Sequence, residues 1–341
     1  MTQTVSLANA ITLQRGFDLP TPQRQPGEYP VVTSTGMATT HNEFKVKGPG
    51  VVIGRSGSIG GGQYIADDFW PLNTTLWVKD FKGNNEKFID YLLKSLDFSS
   101  FNAGAAVPTL NRNHLSALKV HIPNRGEQDK IVNILSTLDE KIELNRKMND
   151  KLEQIGQALF KHYFITNPAA REWKKGKFSD IADVLTGKGS TKSQLSENGI
   201  VPLYGANGIM GTSEDYLYDE SLVITGRVGT LGKVRAVSGP VWLSDNVLIM
   251  RPRGSVFGFM YHLAKSFDYV SMNRGSSQPL VTQTDLKNKP IVIPDTKTLD
   301  LFESQFSVLR ARQEKNEKEI QTLTTLRDTL LPRLISGKVK V

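Results

Sequence analysis

Residues 52–60 read VIGRSGSIG, and residues 224–232 repeat them as ITGRVGTLG, 172 positions further along the chain. Other matches follow in the same order: Trp70 and Trp242, Pro108 and Pro279, Pro123 and Pro294. The offset changes by only one residue between anchors that lie far apart, so these matches indicate an internal duplication. Because only two copies exist, each far longer than the unit of a solenoid or propeller, the sequence predicts two related modules in one chain.

The composition is that of an ordinary globular protein, with 38% hydrophobic and 22% charged residues among 341. No apolar run approaches the roughly 20 residues of a membrane span, and the first residues lack the basic and apolar regions of a signal peptide. The absence of cysteine excludes disulfides, thiol catalysis and cysteine metal sites. The five histidines are scattered. We therefore expect a cytoplasmic protein that has no membrane partner and no metal.

The net charge of +8 favours an acidic partner only weakly, because the excess is spread along the chain. Its densest part is the segment 166–177, which contains four basic residues and one acidic residue. Binding to a polyanion requires basic residues on one face, which a sequence alone does not display.

Each repeat has the same two-part plan, a mixed region followed by a long helix. Short β-branched runs flanked by turn residues predict strands at 29–33, 50–53, 74–78, 222–225 and 246–250. Apolar patches at 86–96 and 257–267 predict helices between the strands. Trp70 and Trp242 precede apolar runs, and we expect both to be anchors of a core.

Apolar residues then recur at spacings of three and four from Ile131 to Leu159, and again over 299–335. A sustained 4-3 alternation is typical of a coiled coil. Asn145, Gln313 and Asn316 are polar residues on these seams, and such residues can fix register and orientation. If the modules are related by a pseudo-twofold axis, the helices run antiparallel. The predicted fold is therefore α+β, with two duplicated mixed α/β domains joined by two long helices packed as an antiparallel coiled coil.

The glycine-rich loops 54–60 and 226–232 match a loose GxxGxxG pattern. A nucleotide-binding loop of that kind opens a helix directly after a strand, whereas strand-like residues follow both loops here. We therefore predict a hairpin or bulge with structural glycines. Arg55 and Arg227 lie inside the loops, where a guanidinium can contact a phosphate or the edge of guanine. The alternative is that both are solvated surface arginines.

Further candidates for nucleic-acid contact lie in the early loops 15–24 and 188–192 and in the small, polar segments before Pro108 and Pro279. Together the DNA-contact candidates are Arg15, Arg24, Arg55, Ser56, Arg112, Lys188, Lys192, Arg227, Arg274 and Gln278. For each of them an ordinary surface position is the alternative. Val132, Ile134 and Leu144 lie off the main seam of the first helix, which indicates a surface for a partner protein.

Several segments resemble the specificity subunits of type I restriction-modification systems. Residues 173–182 (WKKGKFSDIA) and 185–189 (LTGKG) resemble the opening of a target-recognition domain in that family. The junction from 122 to 142, with its Ile-Pro and Glu-Gln pairs, resembles the start of the family's first conserved helix. ALFKHYF at 158–164 and LLPRLISG at 330–337 resemble the ends of the two helical regions. The resemblance covers essentially the whole chain.

The resemblance implies target-recognition domains at 1–125 and 178–295, helical spacer regions at 126–165 and 296–341, and a basic linker at 166–177. It implies a non-catalytic subunit in which each domain reads one half of a bipartite, asymmetric DNA sequence. Two copies of an adenine methyltransferase subunit and motor-nuclease restriction subunits would be its partners. S-adenosylmethionine and ATP would be bound by those partners, so the chain itself would hold no cofactor.

The chain agrees with this by lacking both an Asn-Pro-Pro-Tyr or Asp-Pro-Pro-Tyr motif and a GxxxxGK[ST] loop. Two alternatives remain at this point. The first is a stand-alone, two-headed DNA-binding regulator, which predicts polar outer faces on both helices. The second is an enzyme that holds a nucleotide in its glycine-rich loops, and the sequence offers it no acid-base or metal constellation.

Overall fold

The chain forms two compact units in a computed structural model that describes residues 3–98, 109–189, 194–275 and 278–341. Unit 1 comprises Met1–Arg146 and Glu317–Val341, and unit 2 comprises Lys147–Asn316. Each unit therefore holds one repeat together with part of each long helix.

Among the described residues of unit 1, short helices and strands precede the first long helix. They are β1 (Gln3–Ser6), α1 (Leu7–Ala10), β2 (Thr12–Arg15), β3 (Tyr29–Thr33), β4 (Gly36–His41), β5 (Gly50–Gly54), β6 (Gly60–Ile65), β7 (Trp70–Pro71), β8 (Thr75–Asp80), α2 (Glu86–Ser95), α3 (Arg112–Ser116) and β9 (Lys119–Ile122). The strands make a four-stranded sheet in the order β2-β8-β5-β6, a three-stranded sheet β4-β3-β7 and a ribbon β1-β9. A 3-10 turn at Thr21–Gln23 lies in the loop after β2.

The core of unit 1 lies between the four-stranded sheet and α2. β5 reads GVVIG and is buried along its whole length, so its side chains pack on both faces of the sheet. α2 begins at Asn85, whose side chain accepts a hydrogen bond from the backbone N–H of Phe88, and this cap fixes the start of the helix. Phe88 and Leu92 of α2 then pack with Ile53 in one apolar cluster.

Unit 2 repeats this plan. Its short elements are β10 (Lys174–Lys177), β11 (Ala182–Thr186), β12 (Val201–Gly205), β13 (Gly208–Ser213), β14 (Tyr218–Asp219), β15 (Leu222–Gly226), β16 (Arg235–Val237), β17 (Pro240–Leu243), β18 (Val247–Pro252), α5 (Phe257–Lys265), α6 (Gln283–Lys287) and β19 (Pro290–Ile293). The sheets are β11-β18-β15-β16, β13-β12-β17-β14 and the ribbon β10-β19. Apart from β14, which adds a fourth strand beside β17, the strand order matches that of unit 1, so the predicted duplication is confirmed at the level of topology.

Two details differ from the sequence-based expectations. Trp70 is buried in the core, but Trp242 is only half-buried, and its indole N–H donates to the carbonyl of Lys188 at 3.2 Å. The expectation of a core anchor is therefore wrong for Trp242, which holds a loop instead. The segment 166–177, which we interpreted as a linker, contains a 3-10 turn at Pro168–Arg171 and the strand β10, which pairs with β19.

The long helices are α4 (Arg125–Phe160), of 36 residues, and α7 (Thr296–Ile335), of 40 residues. A π-helical turn, Lys161–Ile165, continues α4. In unit 1, Arg327 binds Asp139 at 2.9 Å and Glu319 accepts a hydrogen bond from Asn145 at 3.0 Å. The partner number on α7 falls as the number on α4 rises, so these parts of the two helices run antiparallel, as predicted.

The same antiparallel pairing holds inside unit 2. There the Asn316 amide donates to Asn149 at 2.8 Å, and the Gln305 amide donates to the hydroxyl of Tyr163, also at 2.8 Å. The polar seam residues Asn145, Gln313 and Asn316 are all buried, which confirms their predicted place on the seam. Within the described residues, no helix is both long enough and apolar enough to cross a membrane.

Candidate nucleic-acid interface

In each unit some of the predicted contact residues lie at one end of the four-stranded sheet. β2 and β5 flank β8, and Arg15 and Ile53 both lie opposite Leu76 of that strand. The carboxyl ends of β2 and β5 therefore meet at the same edge, which places Arg15 near the start of the glycine-rich loop. In unit 2, Thr186 and Thr225 both lie opposite Leu248, so β11 and β15 end together in the same way.

The two glycine-rich loops share an unusual backbone that only glycine fits. A Cβ on Gly54 would lie 1.9 Å from the carbonyl oxygen of Ser58, and a Cβ on Gly226 would lie 1.9 Å from that of Thr230. Gly57 and Gly229, at the fourth position of each loop, have φ of 83° and 76°, a region that favours glycine. Each loop returns as a strand, β6 or β16, so the predicted hairpin is confirmed and a nucleotide loop is excluded.

Backbone hydrogen bonds tie each loop to two other segments in the same pattern. The N–H of Arg55 donates to Thr74 at 2.8 Å, and its carbonyl accepts from Leu110 at 2.7 Å. The N–H of Arg227 donates to Asn246 at 2.8 Å, and its carbonyl accepts from Val281 at 3.0 Å. Both units therefore hold the loop arginine by the same pattern of backbone hydrogen bonds. The side chains around that arginine differ between the units.

Besides the loop and the two segments hydrogen-bonded to it, the site includes the turn of the hairpin that precedes each loop. The sequence analysis did not predict this turn as part of the site. In unit 2 a Cβ on Gly226 would lie 2.7 Å from the carbonyl of Ala206 in the β12–β13 turn. Lys233 donates to the Asn207 side chain at 2.6 Å, and Arg235 donates to the Asn207 carbonyl at 2.9 Å. The available signal was the match of Gly36 with Gly208 at the same offset of 172, since these glycines end the two turns.

The unit 1 turn is held in an equivalent way. The Gln63 amide donates to the carbonyl of Thr33 at 3.2 Å, and Gln63 is the counterpart of Arg235 in the repeat. Ser34 of the turn lies beside Gly54, whose Cβ would be 3.2 Å from the Ser34 carbonyl. The two sites therefore share their backbone but differ in charge, because Arg235 replaces Gln63 and Lys233 replaces Gly61.

In unit 1 a short polar chain links two of the predicted arginines. Arg15 lies 3.8 Å from the carboxylate of Asp18, which accepts a hydrogen bond from the Asn73 side chain. The carbonyl of Asn73 accepts from the guanidinium of Arg55 at 3.4 Å. The structure thus brings Arg15 and Arg55 into one cluster, and Ser56 lies next to it, bridged to Thr109.

The other two unit 1 candidates, Arg24 and Arg112, have other contacts. Arg24 donates to the carbonyl of Leu19, at 3.3 Å, within its own loop. Arg112 is exposed in the first turn of α3, two residues after Leu110. Its side chain lines a shallow cavity with Leu13 of β2.

In unit 2, Lys188 and Arg227 lie at the sheet end described above. Lys188 is exposed, and its backbone N–H donates to Leu243 at 3.0 Å. Arg227 is half-buried within the loop frame. Lys192 lies outside the described residues.

Arg274 and Gln278 precede Val281, whose backbone N–H donates to the carbonyl of Arg227. Arg274 forms an ion pair with Asp285 at 2.6 Å, although its side chain is 69% exposed. Burial raises the pKa of Asp285, but hydrogen bonds from Thr282 and Arg274 outweigh burial and hold it below its usual value. Arg274 therefore also braces the N-terminus of α6, which Thr282 caps. Gln278 is exposed.

The predicted partner residues on α4 divide into two kinds. Val132 packs against the apolar core of unit 1. Ile134 and Leu144 are 37% and 54% exposed. Exposed apolar side chains on a helix leave room for a partner, whereas Val132 already has a structural role.

The chemistry of the site is that of binding. Its side chains include cations, amides and hydroxyls, the groups that contact phosphates and base edges. The carboxylates of Asp18 and Asp285 pair with two of the cations, Arg15 and Arg274. Among the residues the structure describes, no cluster of three or more histidine, aspartate or glutamate side chains is arranged to hold a metal ion. The same backbone arrangement therefore presents an arginine in both repeats, which is the kind of site that a nucleic-acid-recognition protein has.

The comparisons with known proteins identify the family. The family model for the type I restriction modification DNA specificity domain matches residues 3–154 and again residues 170–329. The chain belongs to this family: it is a specificity subunit, which recognises DNA sequence and is not itself catalytic. The two matches correspond to the two repeats.

Known relatives agree with this assignment, and a solved structure shares the fold. The type I restriction enzyme MjaIX specificity subunit of Methanocaldococcus jannaschii is 25% identical over 327 residues, covering 82% of this chain and 75% of the relative. A putative type I specificity subunit of Mycoplasma genitalium is 26% identical over 330 residues, covering 89% and 84%. The crystal structure of a type I restriction-modification S subunit from M. genitalium has the same fold, with a TM-score of 0.67, 19% identity and coverage of 98% and 96%.

Proposed function

We propose that the chain binds a bipartite, asymmetric sequence in double-stranded DNA and directs partner subunits to it. Each repeat reads one half-site through its glycine-rich loop and the segments hydrogen-bonded to that loop. The observation that carries this proposal is the pair of loop sites, which share backbone hydrogen bonds at Arg55 and Arg227.

The side chains on this shared frame support an asymmetric target. Unit 1 presents Ser56 and Gln63 where unit 2 presents Val228 and Arg235. Phosphate contacts position a protein on DNA, whereas different side chains at base edges read different bases. Two sites with one backbone and two sets of side chains therefore fit two unlike half-sites.

The long helices support a fixed gap between the half-sites. α4 and α7 are continuous over 36 and 40 residues, and each contributes residues to both units. At about 1.5 Å per residue, a helix of this length spans roughly 55 Å. We propose that these helices set the number of unread base pairs between the half-sites.

The partners in this proposal are two copies of an adenine methyltransferase subunit, joined by motor-nuclease restriction subunits for cleavage. Ile134 and Leu144 on α4 support a protein partner, because a helix that faces only water places polar residues on its outer face. S-adenosylmethionine and ATP belong to the partner subunits in this proposal, and the chain itself binds no cofactor.

The test combines the full chain with an adenine methyltransferase subunit of a type I restriction-modification system. We expect transfer of the labelled methyl group of S-adenosylmethionine to duplexes that carry the bipartite sequence, and no turnover of S-adenosylmethionine or ATP by the chain alone. The double variant Ile134→Glu/Leu144→Glu should lose methylation but keep DNA binding. Ile200→Glu, at a position 86% exposed and outside the helices, is the matched control.

Two results would contradict the proposal. Turnover of either cofactor by the isolated chain would make it an enzyme. Sequence-specific binding by the chain with no methylation in the presence of the methyltransferase subunit would favour a stand-alone regulator.

A further inference from the structure

Both hairpins that touch the glycine-rich loops expose a large apolar residue directly after their turn. Met37 follows Gly36 on β4 and is 65% exposed, and Ile209 follows Gly208 on β13 and is 64% exposed. Single exposed apolar residues are common and need no explanation. Here, however, the two residues occupy the same position in two diverged repeats, 172 residues apart, next to the proposed DNA site.

The glycines explain how these side chains come to lie at the turn. Gly36 and Gly208 have φ of 123° and 129°, a region that L side chains rarely adopt. The following residue is the first on the outgoing strand that can carry a side chain without strain. Met37 and Ile209 are therefore the apolar residues that directly follow the turn on the outgoing strand of each hairpin.

Acidic and basic residues lie near different ends of the hairpins. The strands read YPVVT and GMATTH in unit 1 and VPLYG and GIMGTS in unit 2, with no acidic residue in any of them. Acidic residues flank the open ends instead, at Glu28, Glu43 and Glu214. The turn ends face the basic loops, and in unit 2 Lys233 and Arg235 bind the turn itself. In unit 2 a polyanion is therefore attracted to the turn end and repelled from the open end. In unit 1 Lys45 pairs with Glu43 at 3.9 Å, and Arg55 is the basic residue of the loop beside the turn.

The shape of the hairpins suits the major groove of DNA. β4 and β13 are edge strands of their sheets, so no further strand of the sheet lies on their outer side. Away from the turn, the backbone N–H of Ser196 donates to Thr212 of β13 at 2.9 Å. A two-stranded ribbon fits the major groove, which is about 12 Å wide. Among the four bases, thymine alone presents a methyl group there, and apolar side chains recognise it by contact.

We propose that Met37 and Ile209 enter the major groove and that each contacts the methyl group of one thymine in the half-site read by its own repeat. This inference rests on the proposed function, and adds one specificity contact for each half-site. The loop arginines contact phosphate or guanine beside it. The hairpin residue then distinguishes thymine from the other bases at one position.

The experiment uses the full chain and duplex DNA. Preferred duplexes are selected from a library with random bases, and each thymine of both half-sites is then replaced by uracil, which lacks only the methyl group. We expect one thymine in each half-site at which uracil weakens binding about fourfold, the equivalent of roughly 0.8 kcal/mol for one buried carbon group.

Variants assign each methyl contact to its residue. Met37→Ala should weaken binding to the thymine duplex to a similar degree and abolish the uracil effect in one half-site, while the other half-site keeps it. Ile209→Ala should abolish the uracil effect in the half-site that Met37→Ala leaves unchanged, and should keep it in the half-site that Met37→Ala affects. Met37→Leu should retain sensitivity to uracil, and Ile200→Ala, an exposed position outside the turn, should change neither half-site.

The inference is overturned if Met37→Ala and Ile209→Ala leave the uracil effects intact, or if no thymine in either half-site responds to uracil. Selection of a bipartite duplex by the same protein would still uphold the proposed function in those cases. If the wild-type chain selects no duplex sequence at all, the proposed function and this inference both fail.

Discussion

Replacing Gly226 by alanine tests whether the glycine-rich loop and the hairpin turn pack as the structure shows. The added methyl group would lie 1.9 Å from the carbonyl oxygen of Thr230 and 2.7 Å from that of Ala206. Both obstacles are backbone atoms, so no side-chain rotation relieves the clash. Overpacking lowers the free energy of unfolding by about 1–3 kcal/mol. Because two carbonyls obstruct the methyl group, we expect a loss at the upper end of this range, about 3 kcal/mol.

Native-state hydrogen exchange of the full chain measures this cost locally. A loss of about 3 kcal/mol increases the open population roughly 100-fold, so amides of β15 and β16 should exchange faster by about that factor. Amides of β5 and β6, in the other repeat, should be unchanged. In Gly54→Ala the amides of β5 and β6 should exchange faster and those of β15 and β16 should be unchanged, since a methyl group on residue 54 would lie 1.9 Å from the Ser58 carbonyl.

Gly126→Ala is the matched control for this experiment. Gly126 lies in the first turn of α4, and a Cβ there would have an ordinary contact of 3.5 Å with the Asn124 side chain. We expect no acceleration of exchange anywhere in this variant. If Gly226→Ala exchanges at the wild-type rate in β15 and β16, the loop does not pack against the backbone as described.

Two further predictions concern the helices. Four residues inserted after Gly126 lengthen α4 by about 6 Å and turn it by about 40°, so the gap in the methylated sequence should grow by one or two base pairs at reduced affinity; an unchanged gap would mean that the helices do not set the spacing. Burial lowers the pKa of His262 to about 4, with Lys265 adding to this effect and Glu153 opposing it. Since the pKa in the unfolded chain is about 6.5, the stability of unit 2 should be complete above pH 6.5 and fall by about 3 kcal/mol toward pH 4. Urea unfolding should show this loss in the wild type and a smaller one in His262→Gln, and equal losses would exclude His262 as the cause.

Local patterns in the sequence predicted the elements well. The strand expected at 29–33 is β3, Tyr29–Thr33, and the helix expected at 299–335 is α7, which begins three residues earlier. These elements have periodic apolar residues and clear turn or seam signals, so their identity depends on nearby residues. The buried polar seam was predicted for the same reason, because Asn145 and Asn316 interrupt a regular alternation.

The parts that depend on distant residues were not predicted. Contact between the β12–β13 turn and the glycine-rich loop joins Asn207 with Arg235, and no local pattern encodes that pairing. The same is true of Arg274, whose ion pair with Asp285 depends on the start of α6. Trp242 was expected in the core because its neighbours are apolar, yet burial depends on what packs over a strand, which the local sequence does not specify.

The central claim is that each repeat reads its own half of the DNA target. The most direct measurement is methylome sequencing of a host that carries the chain with residues 178–295 exchanged for the second recognition domain of another family member. We expect one half of the methylated sequence to change, while the other half and the gap between them stay the same. A change in both half-sites, or in neither, would contradict the claim.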